Sequence, residues 1–124
     1  MGKKIKITVG EIEAEAELND TRTAQAIWEV LPLKKQVNLW GDEIYFSIPL
    51  SLAPEAGQEL VNVGDLGYWP DGNAFCIFFG PTPISQSGEI RAASQVTVFA
   101  KVIGDATVFK KVSTGTEITI RRKE

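Results

Sequence analysis

Two segments near the start of the chain alternate strictly between apolar and polar residues. In KIKITV (4–9) and EIEAEAEL (11–18), every second side chain is apolar, which is the pattern of strands with one buried and one solvated face. Gly10-Glu11 lies between them and suits a type II′ turn, in which glycine takes a positive φ. The sequence therefore predicts an antiparallel hairpin at the start of the fold.

The period changes in TRTAQAIWEVLP (21–32), where apolar residues recur at helical spacing. Ala24, Ile27, Trp28 and Leu31 form one stripe of a helix. Asp20 or Thr21 can cap its first turn, and Pro32 ends it. We interpret Trp28 as a core residue, because its place on this stripe is explained by packing alone.

The middle of the chain predicts short strands separated by turns. QVNLWGDEIYFSIPL (36–50) indicates two strands around Gly41-Asp42. GDLGYWPDGNAFCIFFGPTP (64–83) carries two more on either side of the turn PDGN. Its continuous apolar run AFCIFFG (74–80) is typical of a strand buried on both faces. PTPISQSGEIRAAS (81–94) has no clear period and is predicted to be a loop.

Alternation returns towards the C-terminus. QVTVFAKV (95–102) is predicted to be a strand with Val96, Val98, Ala100 and Val102 on one face. GDATVFKKV (104–112) predicts a second short helix, and TEITIRR (116–122) a last strand. Seven or eight short antiparallel strands and two helices predict an all-β fold, a barrel or sandwich whose ends the helices cover.

Composition places the chain among ordinary globular proteins. It has 124 residues, 44% of them hydrophobic and 23% charged, so we expect one domain over residues 1–124. The formal net charge of −3 does not attract phosphate backbones, which argues against a nucleic-acid partner. We expect no membrane partner, because no apolar stretch approaches the length of a span. The first residues lack the apolar core of a signal peptide, and with one cysteine we expect a cytoplasmic location.

The absence of histidine limits the available chemistry. The chain has no histidine and one cysteine, which excludes Ser-His-Asp and Cys-His catalysis and histidine or thiolate zinc sites within one chain. No glycine pattern matches a phosphate-binding loop. We therefore expect no metal and no cofactor. Cys76 lies among apolar residues and is interpreted as packing rather than as a nucleophile.

Several aromatic residues at predicted strand ends and turns are the positive signal for a ligand-binding site. Ligand pockets are concave and aromatic, with a few polar groups that fix orientation. Glu43 is prominent because it precedes a strand and has no evident capping role. The alternative is that the rings close the end of a small barrel. The candidate ligand-binding residues are Trp40, Glu43, Tyr45, Tyr68, Trp69, Phe79 and Thr82.

The order of segments resembles a reduced cyclophilin. Cyclophilins carry G-x-L-S-M-A followed by G-S-Q-F-F-I, and here Gly64, Leu66 and Gly67 lead to GNAFCI (72–77). Their later H-V-V-F-G-K-V and helix are similar to VTVFAKVIGDATVF (96–109). The chain more closely resembles small prokaryotic cyclophilin-like domains of uncharacterised function, in NLWGDEIYFSIP (38–49) and GDLGYWPDGNAFCIFFGPTPIS (64–85). That resemblance implies a closed eight-stranded antiparallel barrel capped by two helices.

Prolyl isomerase activity is not implied by this resemblance. Cyclophilins use an arginine to weaken the conjugation of the prolyl amide, but no arginine lies between Arg22 and Arg91. The glutamine of G-S-Q-F-F-I falls on Ala74 and its second phenylalanine on Cys76. The histidine before V-V-F-G-K-V falls on Val96. We infer that the isomerase mechanism is lost.

Three hypotheses follow for function. The first is a domain that binds a small molecule or a peptide in an aromatic groove, with Glu43 facing a cationic or hydrogen-bonding group. The second is a divergent enzyme, either an isomerase using Arg91 or a hydrolase or lyase using Glu43 with Asp65. The third is an assembly subunit whose aromatic patch forms a homodimer interface.

Overall fold

The computed structural model describes residues 2–123, and antiparallel strands are its main regular structure. One α-helix, α1 (Arg22–Val30), and two short 3-10 helices, Pro70–Gly72 and Ala106–Lys111, connect them. The strands are β1 (Lys4–Val9), β2 (Ile12–Leu18), β3 (Leu33–Gln36), β4 (Asn38–Leu39), β5 (Glu43–Ser47), β6 (Gln58–Val61), β7 (Asp65–Trp69), β8 (Ala74–Phe78), β9 (Ile90–Ile103) and β10 (Glu117–Arg122).

All ten strands belong to one antiparallel system in the order β3-β10-β1-β2-β9-β7-β8-β5-β4, with β6 added to β9. The prediction of a mainly β, antiparallel fold with two short helices is confirmed. The closed eight-stranded barrel is not: there are ten strands, and within residues 2–123 β3 and β4 at the two ends do not pair. These end strands are instead consecutive in the chain, joined at Val37, whose N–H and C=O bond to Thr116 and Gly115.

The predicted hairpin and helix form as their sequences indicate. β1 pairs with β2 through the two-residue turn Gly10-Glu11, and Gly10 takes φ +59°. Thr21 caps α1, accepting a hydrogen bond from the N–H of Ala24 at 3.0 Å. Trp28 is half-buried rather than fully buried. It packs against the core while the Arg122 guanidinium lies 4.8 Å from its ring centre.

β8 is buried on both faces, as its continuous apolar run predicts. Phe75 and Ile77 face the main core, where Phe75 stacks on Phe46 with ring centres 5.0 Å apart. The opposite face of β8 supports a smaller apolar group, the second cluster. This cluster consists of Val61, Ala74, Cys76, Phe78, Ile90, Ala92 and Val96.

The prediction for β9 was wrong in two respects. The strand begins at Ile90, inside the segment predicted to be loop. Its pairing with β7 also shifts register beside Leu66, so Val96 and Val98 face the second cluster while Ala100 and Val102 face the main core. A β-bulge inserts a residue and reverses the alternation, which a period of two cannot reveal.

The predicted second helix forms as a 3-10 helix. Asp105 caps it, accepting from the backbone N–H of Thr107 at 2.9 Å and from its hydroxyl at 2.6 Å. Phe109 anchors this helix in the main core against Phe79, with ring centres 6.1 Å apart. Within residues 2–123, no helix is both long and apolar enough to cross a bilayer.

Candidate functional site

A cavity of about 260 Å³ opens beside the second cluster, on the face of the sheet opposite the main core. Three separate segments line it. Trp40, Glu43 and Tyr45 come from the β4–β5 turn and β5, Trp69 ends β7, and Ala92, Ala93 and Val96 belong to β9. Apolar atoms dominate the wall, and Glu43 is the one acidic residue among those that line it.

The turn between β4 and β5 sets the position of Trp40. Its N–H donates to the carbonyl of Glu43 at 2.9 Å, and Gly41 takes φ +60°. The turn is pressed against the following loop, because Asp42 N–H donates to Pro81 O at 2.9 Å. A side chain at Gly41 would place its Cβ 2.9 Å from the same oxygen, so glycine is required there.

The register of β5 against β8 brings Glu43 and Tyr45 into the cavity. Glu43 lies opposite Phe78, and Tyr45 opposite Cys76. Side chains of directly paired residues point to the same face of a sheet, so these four residues share the face of the second cluster. Ile44 and Phe46 point the other way, into the main core.

The Trp69 ring is fixed from two sides. Its Nε1–H donates to Ser94 Oγ at 2.6 Å, and that hydroxyl donates in turn to Asp71 Oδ2 at 2.7 Å. The other edge of the indole lies against Gly72, where an added Cβ would come within 2.7 Å of Cε3. The cavity therefore has one aromatic wall whose orientation is set before any ligand arrives.

An irregular part of β9 forms the remaining wall. β6 pairs Leu60 with Arg91 and Gln58 with Val96, so residues 92–95 of β9 bulge out opposite one residue of β6. Ala92 and Ala93 lie in this bulge, and their small side chains leave the space that the cavity occupies. Val96 reaches down to β7, where an added Cβ at Gly67 would lie 3.0 Å from its Cγ2.

Glu43 is the most unusual group in the cavity. Only 6% of it is exposed, and within residues 2–123 no group donates a hydrogen bond to its buried Oε1. Burial raises the pKa of Glu43 from 4.5 to about 7, which the neighbouring Cys76 thiol partly offsets. Burial and the nearby carboxylate raise the pKa of Cys76 well above its ordinary value. The carboxyl thus changes charge near neutral pH.

A family comparison agrees with this geometry. The model of the family described as Cyclophilin-like matches residues 3–121. The chain belongs to the cyclophilin-like family. The solution structure of the hypothetical protein AF2241 from Archaeoglobus fulgidus is similar, with a TM-score of 0.82 and 35% sequence identity. That match covers 98% of this chain and 95% of the archaeal chain. No curated protein matches the chain.

In this cyclophilin-like chain, four of the seven candidate residues meet in the cavity: Trp40, Glu43, Tyr45 and Trp69. Tyr68 does not. It is fully buried in the main core, where its hydroxyl donates to Leu50 O at 2.8 Å and accepts from Leu52 N–H at 3.1 Å. Neighbours along a strand face opposite sides, so Trp69 in the cavity requires Tyr68 in the core.

Phe79 and Thr82 do not line the cavity, and each stabilises the fold instead. Phe79 packs against Phe109 in the main core. Thr82 is buried, and its hydroxyl donates to the carbonyl of Arg91, while its N–H donates to Ser85 Oγ at 2.9 Å. These bonds hold the loop after β8 against the start of β9.

Arg91 and Asp65, which the enzyme alternatives require, lie outside the cavity wall. The Arg91 guanidinium is paired with Glu59 at 3.0 Å and with Glu89 at 2.9 Å. The Asp65 carboxylate accepts from Asn62 N–H at 2.8 Å and lies 3.5 Å from Lys101 Nζ. β8 separates Asp65 on β7 from Glu43 on β5. The geometry does not bring the two carboxylates into one pocket.

Sequence reasoning missed Ala92, Ala93 and Val96. Small aliphatic side chains carry no chemical signal. Ala92 and Ala93 also lie in the segment predicted to be a loop, whereas Val96 lies in the predicted strand 95–102. The sequence contains one hint, since two adjacent alanines in a strand reduce the side-chain volume next to the aromatic residues. The position of the bulge that presents them depends on pairing with β6.

Proposed function

We propose that this cyclophilin-like domain binds a small molecule, or a short peptide segment, in the cavity formed by Trp40, Glu43, Tyr45, Trp69 and β9. The observation that carries the proposal is the buried Glu43 Oε1, which lacks a hydrogen-bond donor within residues 2–123. An unsatisfied buried carboxyl costs stability, and it persists where a ligand supplies the missing partner. The buried free thiol of Cys76 fits a cytoplasmic setting for this function.

The cavity takes the place of the isomerase groove in this proposal. The positions that match cyclophilin's glutamine, phenylalanine and histidine are Ala74, Cys76 and Val96, and all three belong to the second cluster beside the cavity. Arg91 is held by two glutamates. These placements support a groove that has kept its position and lost its isomerase groups.

Tryptophan fluorescence tests the proposal. In a Trp28→Phe background the remaining tryptophans, Trp40 and Trp69, both line the cavity. A panel of small amines, alcohols, acids and proline tetrapeptides is titrated against this protein. We expect at least one saturable change in emission, lost in Trp69→Ala while cooperative unfolding is retained. Affinity that is unchanged in Trp69→Ala would refute the assignment of the site.

One observation favours a second candidate, a single-carboxylate enzyme. A group whose pKa is near 7 can act as a general acid or base at neutral pH, and burial gives Glu43 such a pKa. Asp65 does not join it, so a two-carboxylate hydrolase is not supported.

The isomerase alternative has its own test. A prolyl isomerisation assay on tetrapeptides with a direct cis/trans readout is expected to give the uncatalysed rate. Catalysis lost in Arg91→Ala would restore the isomerase alternative.

A homodimer through the aromatic patch remains a proposal as well. Trp40 and Trp69 are both half-exposed at the mouth of the cavity, so a second copy could cover them. Sedimentation of the wild-type protein and of Trp69→Ala distinguishes the two roles of the patch. A wild-type monomer leaves the cavity open to ligand, and a dimer that Trp69→Ala dissociates makes the patch an interface.

A further inference from the structure

The cavity combines a buried acid with three aromatic rings and no basic partner. Glu43 takes part in no ion pair within residues 2–123, although seven ion pairs involve other acidic residues of the same part of the chain. Trp40, Tyr45 and Trp69 contribute the aromatic wall. An uncompensated carboxylate in an apolar site is strongly disfavoured, so the site needs either a proton or an external cation.

Aromatic rings bias that choice towards a cation. The face of an indole or phenol ring carries partial negative charge and attracts organic ammonium groups, most strongly where water is excluded. The same faces repel anions, as does Glu43 itself. The size of the cavity, about 260 Å³, lies just below the usual range of drug-sized pockets, so the ligand is small.

We propose that the cavity recognises a small organic ammonium ion whose N–H donates to Glu43 Oε1 and whose hydrocarbon part lies between Trp40 and Trp69. This inference rests on the proposed binding function and specifies the chemical class of its ligand. Formation of this bond would satisfy the buried oxygen and its charge together. The shared chemistry is the ammonium group, which a free amine or a lysine side chain can present.

The surroundings of Glu43 set the pH dependence of such binding. From β8 it faces the Cys76 thiol, and Tyr45 is the other titratable residue in the cavity wall. Asp71 reaches the site only through Ser94, and Asp42 is paired with Lys110 at 3.5 Å. Since burial brings the pKa of Glu43 to about 7, the ammonium ion competes with a proton near neutral pH. Affinity should rise as pH increases and level off above the pKa of the free site.

Calorimetry with benzylammonium and benzyl alcohol tests the inference. The two probes have similar shapes and can both donate a hydrogen bond, but only one is charged. At about pH 8 we expect benzylammonium to bind at least ten times more tightly than benzyl alcohol. At about pH 5 the affinity of benzylammonium should be roughly 100-fold lower than its affinity at about pH 8. Glu43→Gln should weaken it roughly 30-fold or more and abolish the pH dependence. Glu117→Gln makes the same charge change at an exposed site on β10 and should alter neither.

The outcomes separate this inference from the binding function on which it rests. Equal affinity of both probes, lost in Trp69→Ala, would overturn the ammonium assignment and leave the pocket intact. Binding of benzylammonium that Glu43→Gln leaves unchanged would also overturn it. Failure of both probes, together with failure of the fluorescence panel, would overturn the binding function itself. The affinity of an acetylated and amidated lysine tripeptide, compared with that of benzylammonium, shows whether the ammonium group comes from a peptide or from a free amine.

Discussion

At the scale of single residues, the account depends on where each side chain points. Glu43 points into the cavity because side chains alternate between the two faces along β5. Its paired residue Phe78 and Tyr45, two residues further along β5, lie on the same face. The sequence could predict Glu43 as unusual, since no capping role explained it. It could not predict that the carboxyl would lack a donor, because that depends on contacts between strands far apart in the chain.

The titration of Glu43 has a direct consequence for stability. Its pKa is about 7 in the folded protein and 4.5 ordinarily, so between these values only the folded state holds the proton. This contribution is fully present below about pH 4.5 and is lost as pH rises to about 7. We expect wild type to lose on the order of 3 kcal/mol over this range relative to Glu43→Gln.

Urea unfolding of both proteins across this range measures the difference. Because both proteins share every other titrating group, their common pH dependence cancels in the comparison. A difference in unfolding free energy that stays constant with pH would show that Glu43 ionises normally in the folded state.

Cys76 should be chemically silent in the native protein. It is fully buried, and its pKa is raised by burial and by Glu43, so the reactive thiolate scarcely forms. Treatment with iodoacetamide should leave the folded chain unmodified, while the urea-unfolded chain gains one adduct by mass spectrometry. Rapid stoichiometric labelling of the folded chain would place the thiol in an open, activated setting instead.

At the scale of the elements, simple patterns were informative until a strand became irregular. The two-residue hairpin, α1 with its Thr21 cap, and the doubly buried β8 follow from period and turn chemistry. β9 does not, because its bulges reverse which residues face each cluster. Bulges are settled by the pairing of strands and leave no periodic trace in the sequence.

The wall of the cavity that β9 forms depends on the close approach of Val96 to Gly67 on β7. An added Cβ would meet Val96 at 3.0 and 3.1 Å and Phe78 at 3.3 Å, all closer than ordinary packing. We expect Gly67→Ala to destabilise the protein by roughly 1–3 kcal/mol through overpacking. A double-mutant cycle with Val96→Ala, followed by thermal unfolding, tests the cause.

The cycle should show coupling of favourable sign, since Val96→Ala removes Cγ2, the closest atom at 3.0 Å, although Val96 Cβ at 3.1 Å remains. Simple additivity of the two substitutions would mean that the cost of Gly67→Ala does not arise from the Val96 methyl groups, which leaves Val96 Cβ, Phe78 and the backbone as its sources. The cavity would then be less dependent on this contact than the account holds.

At the scale of the whole molecule, the site is a product of topology. β4, β5, β7 and β9 meet because the sheet order places β9 beside β7, β7 beside β8 and β8 beside β5. The alternation of apolar and polar residues indicated a mainly β antiparallel fold, and the family resemblance implied the two helices that cover it, but neither indicated this order of strands. The resemblance also implied a closed barrel, whereas the two end strands are joined through the chain at Val37 without pairing.

The raised pKa of Glu43 is therefore a property of the assembled fold, and it can be observed directly. Carboxyl-labelled glutamate allows each side chain to be titrated by carbon NMR, with Glu43→Gln identifying the signal. The account predicts one glutamate that titrates near 7 in the folded protein and shifts to its ordinary value of 4.5 in urea. If every glutamate of the folded protein titrates near the ordinary value, Glu43 is solvated and the cavity lacks the group on which the proposed function depends.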